Sequence, residues 1–232
     1  DLGSMDKRDG RKNIAQPVRE RISNFWYYYR WLVIGGMVAM ILIGTFIYDF
    51  VNVKELAFTA VLLNTSQTAV ADACEQEFVE YAGINTEECA VVFNADLSIH
   101  EEVDVESIEA SQYIATRAAT GELDVAVMDP ATFAAYSSEL FMDLRKCLTD
   151  KDLEALEGKL IYLDAAGEKQ AVSCDPEAMQ EPVPVGIKLN ECAKFLSVYP
   201  YADGDCILGI CATGRHLDYT RSFISFLFED IG

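Results

Sequence analysis

The most apolar stretch of the chain, WLVIGGMVAMILIGTFIY at 31–48, runs without a charge until Asp49. Trp26, Tyr27, Tyr28 and Tyr29 precede it and Phe50 and Val51 follow, so the whole is long enough to cross a bilayer as a helix, which takes about 20 apolar residues. Aromatic residues at both ends, Tyr48 included, match the belts found at membrane interfaces. The pattern predicts a transmembrane helix over 25–51. It exceeds a cleaved signal's apolar region and no small-residue cleavage site follows, so an uncleaved signal anchor is expected.

Beyond it the period changes. Residues 56–63 form a nearly continuous apolar run, as in a strand covered on both faces. Asn64, Thr65 and Ser66 then offer helix caps; Val70, Ala73, Cys74, Phe78 and Tyr81 share a helical face that Gly83 ends. A strand is predicted at 89–93, a helix over 105–120 stopped by Gly121, and a strand over 123–128. Asp129 and Pro130 start a helix, because Asp caps and Pro suits the first turn. This alternation predicts an α/β domain of three layers with a mostly parallel sheet. A short helix over 149–156 carries Thr149 and Asp152 at capping-box spacing. Residues 160–163 and 171–173 read as a hairpin, and 182–187 as an edge-like strand, since its prolines cannot donate to a ladder. A buried strand at 206–211 precedes a terminal helix over 217–231, with Leu217, Thr220, Phe223, Ile224, Leu227 and Ile231 on its inner face.

Charge divides the chain at the apolar run. The formal net charge is −20, yet residues 1–30 hold seven of the 18 basic residues and only four of the 38 acidic ones. The remainder has 34 acids (38 − 4) against 11 bases (18 − 7), a net of −23. Basic residues before a membrane helix mark the cytoplasmic side, so the N-terminus is expected in the cytoplasm and the C-terminal part outside, in the cell membrane of a bacterium. The domains expected are a basic cytoplasmic tail over 1–24, the helix over 25–51, and an extracytoplasmic α/β domain over 52–232 held close to the bilayer. Residues 1–4, ahead of Met5, resemble a cloning remnant. Fifty-one per cent hydrophobic residues exclude an acidic disordered protein, and acidity excludes nucleic acid as a main partner. The bilayer is the first partner; Gly35 and Ala39, at small-xxx-small spacing, could bring a second copy or another membrane protein close.

Ligands of parallel α/β sheets sit beyond the C-terminal ends of the strands. Those positions are Asn64, Thr65 and Ser66, Asn94 and Asp96, Asp129, and Thr213 and Gly214, where helix N-termini could also hold an anion and where plain capping is the competing role. His100 and His216 lie far apart in polar stretches and read as surface residues. The sequence holds no zinc-protease motif, EF-hand loop, P-loop or nucleophile elbow. No catalytic residue, metal site or cofactor is expected. All seven cysteines follow the apolar run; outside the cell disulfides are permitted, with Cys147, Cys174 and Cys192 as partners, buried thiols being the equal alternative. Cys206 and Cys211, an odd number apart on one strand, face opposite sides.

Two runs, ATGELDVAVMD (119–129) with LFMDL (140–144), and PVGIK (184–188) with LGICATGRH (208–216) and the Phe-rich terminal helix, resemble the type 2 periplasmic (extracellular solute-) binding protein fold. The first run is similar to that family's helix, strand, aspartate turn and helix. The other is similar to its returning strand, polar turn and closing helix. The resemblance implies a domain that binds a small molecule without chemistry. The family has two lobes, whereas only 145–205 separate the parts resembling one lobe. The expected function is therefore a non-catalytic binding or accessory role in a membrane assembly, with a tethered solute receptor for a transporter or signalling partner as the alternative.

Overall fold

The structure, a computed structural model, describes residues 31–32, 34–48, 54–65, 71–100, 104–166, 171–201 and 204–228. Residues 34–48 form a helix, α1, and every residue of it is exposed, Met40 and Phe46 by more than 70%. Among the described residues no helix is long and apolar enough to cross a membrane. The rest of the segment expected to span, with the tail over 1–24, lies outside the described residues.

From Lys54 onward the chain is a separate unit built on one sheet of seven strands. β1 (Glu55–Leu63) is an interior strand, with the last seven residues buried as the continuous apolar run predicts. β2 (Cys89–Leu97), longer than its apolar pattern predicts, flanks it at one edge, and β3 (Val125–Met128) on the other side. Then come β7 (Ile207–Ile210), β6 (Pro182–Lys188), β4 (Leu160–Asp164) and β5 (Val172–Ser173). β1 pairs parallel with β2 and β3; the pairings from β3 through β7, β6 and β4 to β5 are all antiparallel. The sheet is therefore mixed rather than mostly parallel. The reason is β7, which enters beside β3 in the reverse direction after the hairpin region has joined the same sheet. β6 is an interior strand and not an edge. Its prolines are tolerated because β7 reaches only Gly186–Lys188, so Pro182 and Pro184 have a strand neighbour on the β4 side alone.

Helices cover both faces, giving the three layers. α2 (Ala71–Ala82), α6 (Ala193–Leu196) and α7 (Leu217–Leu227) pack on one, where Phe58, Phe78 and Phe223 stand with ring centroids 5.0–5.1 Å apart. α3 (Val105–Thr120) and α4 (Pro130–Tyr136) pack on the other, through Ile114 and Phe133. Strand alternation divides the two cores: Phe58, Ala60 and Leu62 face one, Val61 and Leu63 the other. Tyr81, expected on the inner face of α2, is 55% exposed and lies against Phe226. α5 (Asp150–Ala155) carries the predicted capping box from Thr149 and Asp152. All seven cysteines are free, so no disulfide joins Cys147, Cys174 or Cys192; Cys206 and Cys211 do face opposite cores.

At the start of β3 a carboxylate, Asp124, is buried. It accepts from Thr59 N (2.9 Å) and His216 N (3.1 Å) and faces His216 Nδ1 at 3.1 Å. Its own N–H donates to Thr59 O and its carbonyl accepts from Cys211 N, so one residue joins β1, β3, the end of β7 and the start of α7. His216 is thus half-buried and bonded, not the free surface residue its polar setting suggests.

Two glycines make the centre of the sheet possible. Gly186 and Gly209 pair directly across β6 and β7. Phe133 and Phe141, stacked at 4.6 Å, lie over them: a Cβ on Gly209 would stand 2.3 Å from the Phe141 ring, and one on Gly186 would stand 2.6 Å from Phe133. The two rings stack on each other, so displacing one disturbs the other. Gly209→Ala is expected to cost about 1–3 kcal/mol, the usual range for overpacking, read as a lowered urea midpoint at unchanged slope.

Candidate functional site

The C-terminal ends of β1, β2 and β3 share one edge of the sheet, and a cleft of about 660 Å³ opens there. Its wall is made by Asn64 after β1, Ile99 and His100 after β2, Asp129 with the first turn of α4, Tyr136 at the end of α4, Tyr201, and Asp205 ahead of β7.

Asn64 is the one described non-glycine residue with positive φ (58°), a conformation Asn tolerates better than most. The bend turns its amide across the strand ends. Oδ1 accepts from Ile99 N (2.7 Å), while Nδ2 donates to Ile99 O (3.0 Å) and to Asp129 Oδ2 (2.7 Å). Asp129 caps α4: Oδ1 accepts from Ala131 N and Thr132 N, and Oδ2 also from Thr132 Oγ1 (2.7 Å). Burial pushes the Asp129 carboxyl up, but the bonds from Thr132, Asn64 and Ala131 outweigh it and hold the group below the usual carboxylate value. Next to His100, Asp104 caps α3 through Ser107 N (2.8 Å) and meets His100 Nδ1 at 2.8 Å. The Ser107 bonds, then His100, draw Asp104 down to about 2.

Of the residues expected at this edge, Asn64 and Asp129 line the cleft together. Thr65 turns away and donates to Pro200 O (3.1 Å). Ser66 lies outside the described residues. Asn94 sits within β2, opposite Val61, and accepts locally from Asp96 N; Asp96 is exposed and does not line the cleft. Thr213 and Gly214 are at the opposite edge, because β7 runs antiparallel and its C-terminal end meets the beginning of β3; Gly214 packs on Leu123 and Asp124 there. The same reversal brings Asp205, which precedes β7 and reads as an ordinary turn residue, into the wall. Tyr136 and Tyr201 had no signal in sequence; their hydroxyls bond Ser111 Oγ (3.1 Å) and Val127 O (3.2 Å).

An anion at the α4 or α3 N-terminus is not what this edge is built for. Asp129 engages Ala131 N and Thr132 N of α4, and Asp104 engages Ser107 N of α3. His100, Asp104 and Glu106 bring ligand atoms within 4.8 Å of one another, all on exposed side chains. His216 is at the other edge with Asp124, so the two histidines do not meet. No family model, curated protein or solved structure matches the chain.

Asp129→Ala removes a cap and the bridge to Asn64 and is expected to cost about 1–2 kcal/mol at pH 7. Because the folded carboxyl titrates below its ordinary 3.8, its stabilisation is complete above that value and is lost as pH falls through the lowered folded value. Urea midpoints at pH 7 and pH 3 check this: the gap between native chain and variant should narrow at the lower pH.

Proposed function

We propose that the chain is a single-pass membrane protein of the cell membrane, N-terminus cytoplasmic, whose outer α/β domain binds a ligand without catalysing a reaction and serves a membrane assembly. The observation that carries the binding role is the cleft: a concave site of about 660 Å³, in the range of small-molecule pockets, at the sheet edge where α/β domains hold ligands. The Asn64–Asp129 bond ties two parts of its wall together, which supports a preformed site. The anchor is supported by the uncharged run over 31–48, the seven bases ahead of it, and the exposure of every described residue of α1. A binding-protein-like ancestry belongs to the same proposal. Its support is β7, which returns beside β3 and is followed by the turn and α7 in the order the resemblance implies. The volume of the cleft favours a tethered solute receptor for a transporter or signalling partner over a purely protein-contacting accessory role.

Cys174 is an exposed thiol and reports the side of the membrane. In intact cells a membrane-impermeant maleimide should label it, with the signal lost in Cys174→Ser; labelling only after the membrane is opened overturns the orientation. For binding, the full chain in lipid nanodiscs is melted against a panel of small solutes. A solute at about 100 times its Kd adds about 2.7 kcal/mol, and Ala135→Trp, which fills the cleft wall, should abolish the shift. A panel without effect, or a shift that Ala135→Trp leaves intact, overturns the cleft as the site.

A further inference from the structure

The charge of the cleft selects among ligands. Strand-end clefts of α/β sheets ordinarily favour anions, because helix N-termini point free N–H groups and partial positive charge into them. Here the polarity is reversed. Asp129 covers the N-terminus of α4, setting a full carboxylate against its partial positive charge. Among the described residues the wall holds the carboxylates of Asp129 and Asp205, the imidazole of His100, and no lysine or arginine. Lys188 lines only the smaller adjoining cavity, about 280 Å³, which shares Pro130 and Asp205.

The two carboxylates play different parts. Both Asp129 oxygens are filled by protein donors, so it supplies field rather than contact. Asp205 is exposed; its Oδ1 accepts from Asn190, and its Oδ2 has no hydrogen-bond partner among the described residues. The hydroxyls of Tyr136 and Tyr201 are engaged with Ser111 and Val127; Tyr201 is buried, and the half-buried Tyr136 adds to the wall an aromatic side chain of the kind that attracts a cation. Ile99, Pro130, Ala131 and Ala135 add apolar wall. A volume of about 660 Å³ with such walls fits a cation carrying a hydrocarbon body far better than a bare metal ion. The net −23 of residues 31–232 draws cations toward the domain at long range.

We infer that the cleft binds a small organic ammonium ion, its charged head on Asp205 and its hydrocarbon body against Tyr136 and the apolar wall. This rests on the cleft being the binding site, as proposed above. The full chain in nanodiscs is titrated with putrescine and choline, and with 1,4-butanediol, 3,3-dimethyl-1-butanol and adipate as neutral and anionic counterparts of the same carbon frame. One or both amines should raise the melting temperature, the counterparts should not, and rising salt should weaken the effect. Asp205→Asn, at an exposed position, should leave the unliganded melt unchanged and weaken amine binding about tenfold or more. Stabilisation by adipate or the alcohols instead of the amines overturns the ammonium assignment and leaves the binding role standing; amine binding indifferent to Asp205→Asn overturns the placement of the charged head on Asp205. Silence of every compound, the broader solute panel included, overturns the binding role itself.

Discussion

Burying the Asp124 carboxylate is the constraint around which the domain is arranged. An uncompensated buried charge costs several kcal/mol, so its oxygens must be satisfied, and the two backbone donors available come from different places: Thr59 in β1 and His216 at the start of α7. Meeting both sets how far β1 lies along β3 and where the last helix begins. Register then carries the constraint along the strands. Thr59 stands beside Asp124, Ala60 pairs with Val125, Leu62 with Val127, and five residues on from the first contact Asn64 reaches Asp129. The β1–β3 pair is thus bracketed by two aspartates in the same phase. A slip of one residue would break both and send Phe58 and Val61 to the wrong cores.

The cleft follows from this bracket. Because the upper aspartate is held by Asn64 and by the α4 backbone, its charge is fixed in place at the mouth while its lone pairs are occupied. In the proposed binding role this charge stands in place before any ligand arrives, and the residue proposed to make contact, Asp205, sits on a different part of the chain.

Local chemistry made much of the domain legible from sequence. Asp129 and Pro130, Gly121, and the Thr149–Asp152 pair each act through neighbours within a few residues, so their roles as caps and stops are written in short motifs. Strand direction is not written that way. The apolar run at 206–211 reads as a buried strand in either orientation, and its orientation decides which of its ends meets the other strand ends. Taking it as parallel puts Thr213 and Gly214 at the ligand edge. The antiparallel β7 puts Asp205 there instead and gives Gly214 to Asp124. His216 shows the same limit, since its polar sequence surroundings conceal a buried partner 92 residues away.

The placement of β7 also dictates the order in which the domain can be completed. It is the last of the described strands along the chain, yet it lies between β3 and β6 in the middle of the sheet. Until it arrives, β2-β1-β3 and β6-β4-β5 are two half-sheets with open edges facing one another, and nothing in the sheet joins them. Such edges are templates for pairing with other chains, and closure by a distant segment is slow because the intervening loop must be restrained first. The domain is thus vulnerable until its last strand is in place. Insertion of one short strand, with Phe141 settling over its glycine, converts two adhesive halves into a single closed core.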